Sequence, residues 1–347
     1  MRSTITIAAL LLAGLFGNAQ PKVNSGALKH FEKFESKLVQ PRDVDIWLPP
    51  GYDKNEKYPV LYMHDGQMLF DPSITWNKMS WEVDNTASKL IKEGTVKKFI
   101  VVAIWNVPDL RFSDYFPQKP FESLTQKSKD SIYGLYFGEK PMFNAKVNAD
   151  NYLKFIVTEL KPFVDKNYNT KADAANTFIA GSSMGGLISL YAICEYPETF
   201  GGAACMSTHW IGATGVAQNP IPGAFLKYMN KKLPSPANHK IYFDYGTEGL
   251  DANYGTTQKK VDALMTEHKF TSKNWITKEF KGDDHSEKSW ATRLSQPLTF
   301  LLGNPNTPKT NAPAILVDEK PKTITSGKST QKKQGEKPKA QTAAPKK

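Results

Sequence analysis

The chain has 347 residues, of which 40% are hydrophobic and 23% charged, and its formal net charge is +11. This composition is typical of a globular protein. It excludes a chain that is disordered throughout, and the length suffices for one large α/β domain with additional segments. Only two cysteines occur, Cys194 and Cys205, which excludes a disulfide framework. We expect two buried thiols, and a single bridge between them is the alternative.

Residues 1–19 have the pattern of a secretory signal peptide. Arg2 precedes an apolar run over residues 5–16, and the small residues Gly17 and Ala19 follow it. The run is shorter than the roughly 20 residues that a membrane-spanning helix requires. The sequence therefore predicts an exported protein, periplasmic or secreted, with no integral membrane segment in its mature chain.

Short apolar runs alternate with stretches of helical spacing over residues 20–303. The runs are typical of strands buried on both faces and occupy residues 44–48, 59–63, 99–105, 177–180, 201–206 and 241–245. Helical spacing is found at residues 81–91, 152–164 and 187–193. The alternation predicts the α/β class, as one domain with a mostly parallel, doubly wound sheet and helices on both faces.

Residues 112–148 lack clear periodicity and are rich in Tyr, Phe, Lys, Ser and Pro. Ligands of doubly wound sheets bind beyond the carboxyl ends of the strands. We expect this segment to be a long excursion over that edge.

Residues 304–347 differ in composition from the rest of the chain. They contain ten lysines against three acidic residues, together with many Pro, Thr, Ser, Gln and Ala. Such a segment cannot bury enough apolar surface to become ordered, so we predict a disordered, solvated tail. Because this tail holds most of the net positive charge, no nucleic-acid partner is expected.

The segment 177–186 places Gly181-Ser182-Ser183-Met184-Gly185 between an apolar strand and a helix-like stretch. A Gly-x-Ser-x-Gly sequence in this context is typical of a nucleophilic serine held on a sharp turn. We expect the two glycines to permit that turn and to raise the Ser183 hydroxyl clear of the sheet. Ser183 is therefore the predicted nucleophile.

A serine nucleophile requires a base, and histidine is the usual one. In the chain order serine, acid, histidine, His285 stands out because it lies in a polar loop after a strand-like stretch and before a helix over about 288–301. The acid is expected after the strand at 241–245, where Asp251 is favoured and Glu248 stays open.

Two backbone N–H groups must face the oxyanion. Met184, directly after the nucleophile, supplies one, and Gln67 in the loop after residues 59–63 is the expected second donor. His64 and Asp65 in this loop have the residue types of half a metal site, but no further ligands of zinc-like spacing are present, so no metal is predicted.

These stretches resemble the esterase D superfamily of α/β-hydrolases, which includes feruloyl and acetyl-xylan esterases, enterochelin esterases, S-formylglutathione hydrolase and the antigen 85 mycolyltransferases. The matching positions span most of residues 44–301 and comprise 48–52, 58–67, 181–186, 246–247, His285 and Trp290. The resemblance implies an α/β-hydrolase fold and a Ser–acid–His hydrolase with no cofactor. It assigns the nucleophile to Ser183, the base to His285 and the oxyanion donors to Met184 and Gln67. It does not assign the acid, because this chain has Gly249 at the position where some members have the acidic residue.

Aromatic and polar residues that follow strands or lie in the excursion are the candidates for substrate binding: Trp76, Trp105, Arg111, Tyr115, His209 and Trp210. They are suited to stacking on a sugar ring or an aryl acyl group, although each is also suited to the core. The sequence predicts an exported serine esterase that works through an acyl-enzyme on an acetyl or feruloyl ester of a carbohydrate, or on a similar small ester. A siderophore esterase, an acyltransferase of the antigen 85 kind and a non-catalytic binding protein are the alternatives, and the oligomeric state is left open.

Overall fold

A computed structural model of the chain describes residues 20–213, 216 and 218–305. The predicted signal peptide at residues 1–19 and the predicted tail, apart from its first two residues, lie outside the described residues. Among the described residues, no helix has the length and apolar character needed to cross a membrane.

In the part of the chain that the structure describes, eight strands form the central sheet, and two very short strands form a separate hairpin. The ten strands are β1 Ala27–Phe34, β2 Arg42–Leu48, β3 Val60–His64, β4 Ile100–Ile104, β5 Tyr136–Phe137, β6 Lys140–Pro141, β7 Thr177–Ser182, β8 Gly202–Met206, β9 Lys240–Gly246 and β10 Trp275–Phe280. The order in the large sheet is β1-β2-β4-β3-β7-β8-β9-β10. From β4 to β10 all neighbours are parallel, whereas β2 pairs antiparallel with both β1 and β4.

The six predicted strands are all present, and their bounds differ from the predicted ones by only a few residues. The strand β1 was not predicted, because its sequence ALKHFEKF is polar and partly exposed at the edge of the sheet. The antiparallel pairing of β1 and β2 makes the sheet mixed at this end. The five strands β3, β7, β8, β9 and β10 end at one edge, and the loops after them build the site described below.

Helices cover both faces of the sheet, as predicted. They are α1 Val83–Lys92, α2 Arg111–Tyr115, α3 Gln118–Glu122, α4 Gln126–Tyr133, α5 Ala149–Phe155, α6 Lys161–Asn167, α7 Met184–Glu195, α8 Ile221–Lys232, α9 Gly255–Glu267, α10 Glu287–Arg293 and α11 Ser295–Leu302. Alternate residues of β3 point to opposite faces. Val60 and Tyr62 join the core that contains α5 and α7, whereas Leu61 and Met63 join the core beneath α1 and α11.

Two predicted helices are interrupted. One turn of π-helix, Ile156–Leu160, separates α5 from α6, and α10 ends before α11 at Leu294. The excursion at residues 112–148 contains the three short helices α2–α4 and the β5–β6 hairpin. Phe116 and Phe121 are buried in the core, whereas Tyr136 in the hairpin is 65% exposed. Both cysteines are buried and unbridged, as expected.

Candidate active site

Ser183 stands between β7 and α7 with backbone angles φ 57° and ψ −122°, a conformation that is rare for a residue with a side chain. Gly181 and Gly185 do not have positive φ values. The glycines permit the turn, as expected, but the positive φ belongs to Ser183 itself. Gly181 is required for close packing, since a Cβ there would lie 2.7 Å from the backbone of Gly185. A serine in a strained turn at the carboxyl end of a strand is the arrangement of a nucleophile elbow.

His285 and Asp251 meet directly. The Nδ1 atom of His285, in the loop after β10, lies 2.5 Å from Oδ1 of Asp251, which follows β9 and is fully buried. Burial raises the pKa of Asp251, but hydrogen bonds from His285, Ser207 and the Gly246 amide outweigh it and keep the pKa below its ordinary value. Glu248, the other candidate acid, is exposed in the same loop. A buried carboxylate on Nδ1 fixes the imidazole tautomer and leaves Nε2 to exchange protons.

Ser207 and Arg293 complete a buried network around the Asp251 carboxylate. Ser207 Oγ donates to Asp251 Oδ2 at 2.5 Å and accepts from Trp290 Nε1 at 2.9 Å and from an Arg293 nitrogen at 2.7 Å. The Gly246 amide donates to the same Oδ2 atom at 2.7 Å. The sequence analysis missed Ser207 and Arg293. For Ser207 a signal exists, because it directly follows β8 at the edge where the other site loops meet.

Arg293, on α10, is almost fully buried and faces three carboxylates. Its guanidinium lies 3.1 Å from Asp244, 3.7 Å from Asp251 and 3.0 Å from Asp283. Burial raises the pKa of Asp244 to about 6, although Arg293 opposes this shift. The cation thus connects the loops after β9 and β10, which hold the acid and the base.

The two expected oxyanion donors come from different segments at this edge of the sheet. Met184 is the first residue of α7, and Gln67 lies in a single 3-10 turn after β3. A Cβ on Gly66 would lie 2.7 Å from the Ala103 backbone, so only glycine lets this turn lie so close to β4. A Cβ on Gly185 would be 3.5 Å from His64 and Asp65, which puts the β3 loop beside the start of α7.

His64 is held by hydrogen bonding rather than by metal ligation. Its Nδ1 atom lies 2.8 Å from the Tyr152 hydroxyl, and burial lowers its pKa to about 3, so the ring is neutral. Within the part of the chain that the structure describes, no three His, Cys, Asp or Glu side chains are grouped as metal ligands.

Arg111, Tyr115 and Trp105 lie at the carboxyl ends of β3 and β4. Arg111 donates two hydrogen bonds to the Asp65 carboxylate, at 2.8 and 2.7 Å, and its guanidinium lies 5.3 Å from the Tyr115 ring centre. Tyr115 is fully buried and accepts from the Asp65 amide at 3.2 Å. Trp105 donates to Asp45 at 2.6 Å, toward the antiparallel end of the sheet.

Trp210 and Trp76 have opposite environments. Trp210 is 1% exposed, and its indole N–H donates to Gln258 at 2.8 Å. Trp76 is 84% exposed. Its neighbour Asn77 donates to Glu287, the first residue of α10, at 2.7 Å.

His209 lies against the proposed nucleophile. Its amide donates to the Ser183 carbonyl at 3.2 Å, and its Nδ1 atom lies 2.7 Å from the hydroxyl of Tyr254. The Tyr254 ring is 5.8 Å from that of His285. His209 and His285 therefore both border Tyr254, a residue that the sequence analysis did not single out.

Comparisons with known proteins bear on the family and the fold of the chain. Residues 36–301 match the model of the family described as "Putative esterase". An endo-1,4-beta-xylanase/feruloyl esterase of Xylanibacter ruminicola is 30% identical over 190 residues, which are 52% of this chain and 21% of that protein. The chain thus spans about a fifth of the length of this relative.

Solved structures share the fold. The ferulic acid esterase of the fungus Anaeromyces mucronatus has a TM-score of 0.53 at 21% identity, covering 81% of this chain and 91% of its own. The enterobactin esterase of Shigella flexneri has a TM-score of 0.59 at 18% identity, covering 81% of this chain and 60% of its own. The predicted α/β-hydrolase fold is confirmed.

Proposed function

Because this chain belongs to the "Putative esterase" family, we propose that it is a serine carboxylic-ester hydrolase with Ser183 as nucleophile, His285 as base and Asp251 as acid. One observation carries the proposal. The 2.5 Å hydrogen bond between His285 Nδ1 and the Asp251 carboxylate lies at the sheet edge where Ser183 occupies its strained turn. This juxtaposition of three chain-distant residues is the arrangement that acyl transfer requires.

In the proposed reaction, Ser183 Oγ attacks the ester carbonyl carbon while His285 Nε2 takes the hydroxyl proton. The amides of Met184 and Gln67 stabilise the oxyanion of the tetrahedral intermediate. The C–O bond to the alcohol then breaks, and His285 returns the proton to the leaving alcohol. Water, deprotonated by His285, attacks the acyl-enzyme, and the acid is released with Ser183 regenerated.

The substrate that we propose is an acetyl or feruloyl ester of a carbohydrate. The relative at 30% identity is named as an endo-1,4-beta-xylanase/feruloyl esterase, and the exposed Trp76, whose neighbour Asn77 bonds to the first residue of α10, offers a stacking surface for a sugar ring. A siderophore ester is the second candidate, favoured by the TM-score of 0.59 to an enterobactin esterase. Both candidate substrates would react with the same nucleophile. The enzyme's preference for particular acyl and alcohol groups therefore distinguishes the two candidates.

The test is a panel of acetyl-sugar, feruloyl-sugar, longer acyl and siderophore esters, assayed with the wild type and with Ser183→Ala. We expect the feruloyl or acetyl sugars to give the highest kcat/KM and Ser183→Ala to lose turnover and labelling by a fluorophosphonate probe. Wild-type turnover in Ser183→Ala would overturn the proposal. Product analysis with an added sugar acceptor distinguishes hydrolysis from acyl transfer.

We also propose that the protein is exported, with residues 1–19 removed and residues 304–347 as a solvated tail on a single esterase domain. The charge and apolar pattern of residues 1–19 support export. N-terminal sequencing of the protein recovered outside the cytoplasm tests this, and an intact Met1 would contradict it.

A further inference from the structure

Ser207 carries a buried hydroxyl that no step of the proposed reaction uses. It directly follows β8, at the sheet edge that holds the site, and it is fully buried. Its φ is 40°, in the left-handed region that favours glycine, so a side chain at this position costs stability. The Ser207 amide donates to the Asp244 carbonyl at 2.9 Å, which holds the backbone in this conformation. A serine in such a conformation indicates that its hydroxyl has a role.

Helix α10 presents two N–H donors to the Ser207 oxygen. Trp290 and Arg293 are three positions apart, and residues at this spacing are neighbours on the surface of a helix. Trp290 Nε1 lies 2.9 Å and Arg293 Nη2 lies 2.7 Å from Ser207 Oγ. Both side chains are almost fully buried. Indole and guanidinium groups can only donate hydrogen bonds, so Ser207 Oγ accepts in both contacts.

These two contacts determine where the Ser207 proton points. A hydroxyl oxygen has two lone pairs and one proton, and the two donors of α10 occupy both lone pairs. The third contact of Ser207 Oγ is Asp251 Oδ2, at 2.5 Å. Burial raises the pKa of Asp251, but the hydrogen bonds that it accepts keep the pKa below its ordinary value, so the carboxylate is ionised near pH 7 and can only accept. The Ser207 hydroxyl therefore donates to Asp251, because no other direction of its proton satisfies all three contacts.

The bond from Ser207 fixes the orientation of the Asp251 carboxylate. Asp251 Oδ2 accepts from Ser207 at 2.5 Å and from the Gly246 amide at 2.7 Å. Oδ1 therefore faces His285, whose Nδ1 atom lies 2.5 Å away. Rotation of the carboxylate would break all three bonds at once. The reaction requires this orientation when His285 takes up a proton, because the carboxylate then stabilises the imidazolium.

We propose that Ser207 is a positioning residue of the proposed reaction, whose hydroxyl holds the Asp251 carboxylate with Oδ1 on His285. The inference rests on the proposed function. The two N–H groups of α10 align the hydroxyl. Ser207 keeps its proton in every step, since the proton of the nucleophile passes to His285 and Asp251 accepts hydrogen bonds without taking a proton. Ser207 thus acts on the imidazole through Asp251.

The first test is Ser207→Ala, which removes the hydroxyl and keeps Cβ. We expect kcat to fall about 10- to 100-fold, the equivalent of one hydrogen bond to a charged group, and KM to change less than about threefold. The matched control is Ser189→Ala in α7. Ser189 is equally buried, but its hydroxyl donates to the Gly185 carbonyl at 2.7 Å, four residues earlier in the helix. Such a bond contributes little to a helix, so kcat should stay within about twofold.

The second test is the proton NMR signal of the His285 Nδ1–H group, which is identified by its loss in His285→Ala. A short hydrogen bond to a carboxylate moves this signal strongly downfield. In Ser207→Ala we expect the signal to move upfield or to broaden, because the carboxylate is then free to rotate. In Ser189→Ala it should stay in place. A residue that only stabilises the fold does not change this signal in the folded protein, so the measurement separates positioning from stability.

Rates are referred to the concentration of sites that a fluorophosphonate titrates, and thermal unfolding is measured for each variant. Wild-type kcat or an unmoved NMR signal in Ser207→Ala overturns this inference, while an inactive Ser183→Ala leaves the proposed function standing. If Ser183→Ala is active, the proposed function fails and the inference fails with it. If Ser207→Ala does not fold, Ser207→Gly decides, because glycine adopts a φ of 40° without strain. Wild-type kcat in that variant rejects the inference.

Discussion

Asp251 differs from the other carboxylates near His285 in what its oxygens contact. Oδ1 meets the imidazole, while Oδ2 accepts from Ser207 and from the Gly246 amide. Glu248, three residues earlier, is exposed. Spacing along the chain did not decide whether Asp251 or Glu248 is the acid. The loop conformation that brings one of them to the imidazole depends on contacts with β8 and α10.

Replacing Asp251 by Asn should lower kcat by about 10³- to 10⁴-fold, because an amide N–H facing Nδ1 stabilises the wrong imidazole tautomer. The matched control is Glu248→Gln, which should keep kcat within about twofold. Steady-state kinetics on the best ester of the panel measures both. Equal losses in the two variants would contradict the assignment of Asp251.

Individual residues also mark the limit of sequence analysis at the site. Motif and chain order singled out Ser183 and His285, whereas spacing did not separate Asp251 from Glu248. Tyr254 and Arg293 were missed, because their importance comes from contacts over 30 or more positions, such as the bond from Arg293 to Ser207. Such contacts leave no local pattern, and only the folded chain brings the residues together.

At the scale of elements, the strands of the parallel part were predictable from their apolar runs, whereas β1 was not. Buried strands must be apolar on both faces, but an edge strand such as Ala27–Phe34 is free to be polar. The predicted helix at 152–164 is interrupted by a π turn, since apolar spacing alone does not report which carbonyl each N–H meets.

The contact between β7 and α7 yields a prediction at this scale. Gly181→Ala places a methyl group 2.7 Å from the Gly185 backbone, so the start of α7 must move and folding should be destabilised by more than about 2 kcal/mol. Gly223→Ala is the control: a Cβ there has no atom within 4 Å, and Gly223 lies inside α8. This variant should be stabilised by about 0.5–1 kcal/mol. Urea unfolding measures both, and equal effects would contradict the packing argument.

At the scale of the whole molecule, two cores on opposite faces enclose one sheet, and the loops at one edge carry the site. The fold class followed from the alternation of strands and helices, and the family match confirms the predicted esterase relationship. The substrate did not follow, because the residues that border the site, such as the exposed Trp76, lie on segments without a local pattern.

Stability of the whole protein should depend on pH through Asp244. Its pKa is about 6 in the folded chain and about 3.9 when unfolded. The folded state therefore holds more protons between these values, and this group lowers stability as the pH rises from about 4 to about 6. Asp244→Asn removes this titration.

The difference in urea midpoint between Asp244→Asn and the wild type should shift in favour of the variant over that pH interval and be constant above it. Both proteins keep Asp251, whose lowered pKa acts in the opposite sense, so the comparison reports the titration of residue 244 together with its charge coupling to Asp251. A difference that does not vary with pH would contradict the raised pKa of Asp244.

The backbone angles of Ser183 have one further consequence. A residue with a side chain held in such a conformation costs roughly 1–3 kcal/mol, and glycine adopts it with little penalty. A sequence selected only for thermal endurance would therefore carry glycine at position 183. The serine therefore lowers the stability of the folded state. Ser183→Gly should give a more stable protein that lacks the proposed nucleophile.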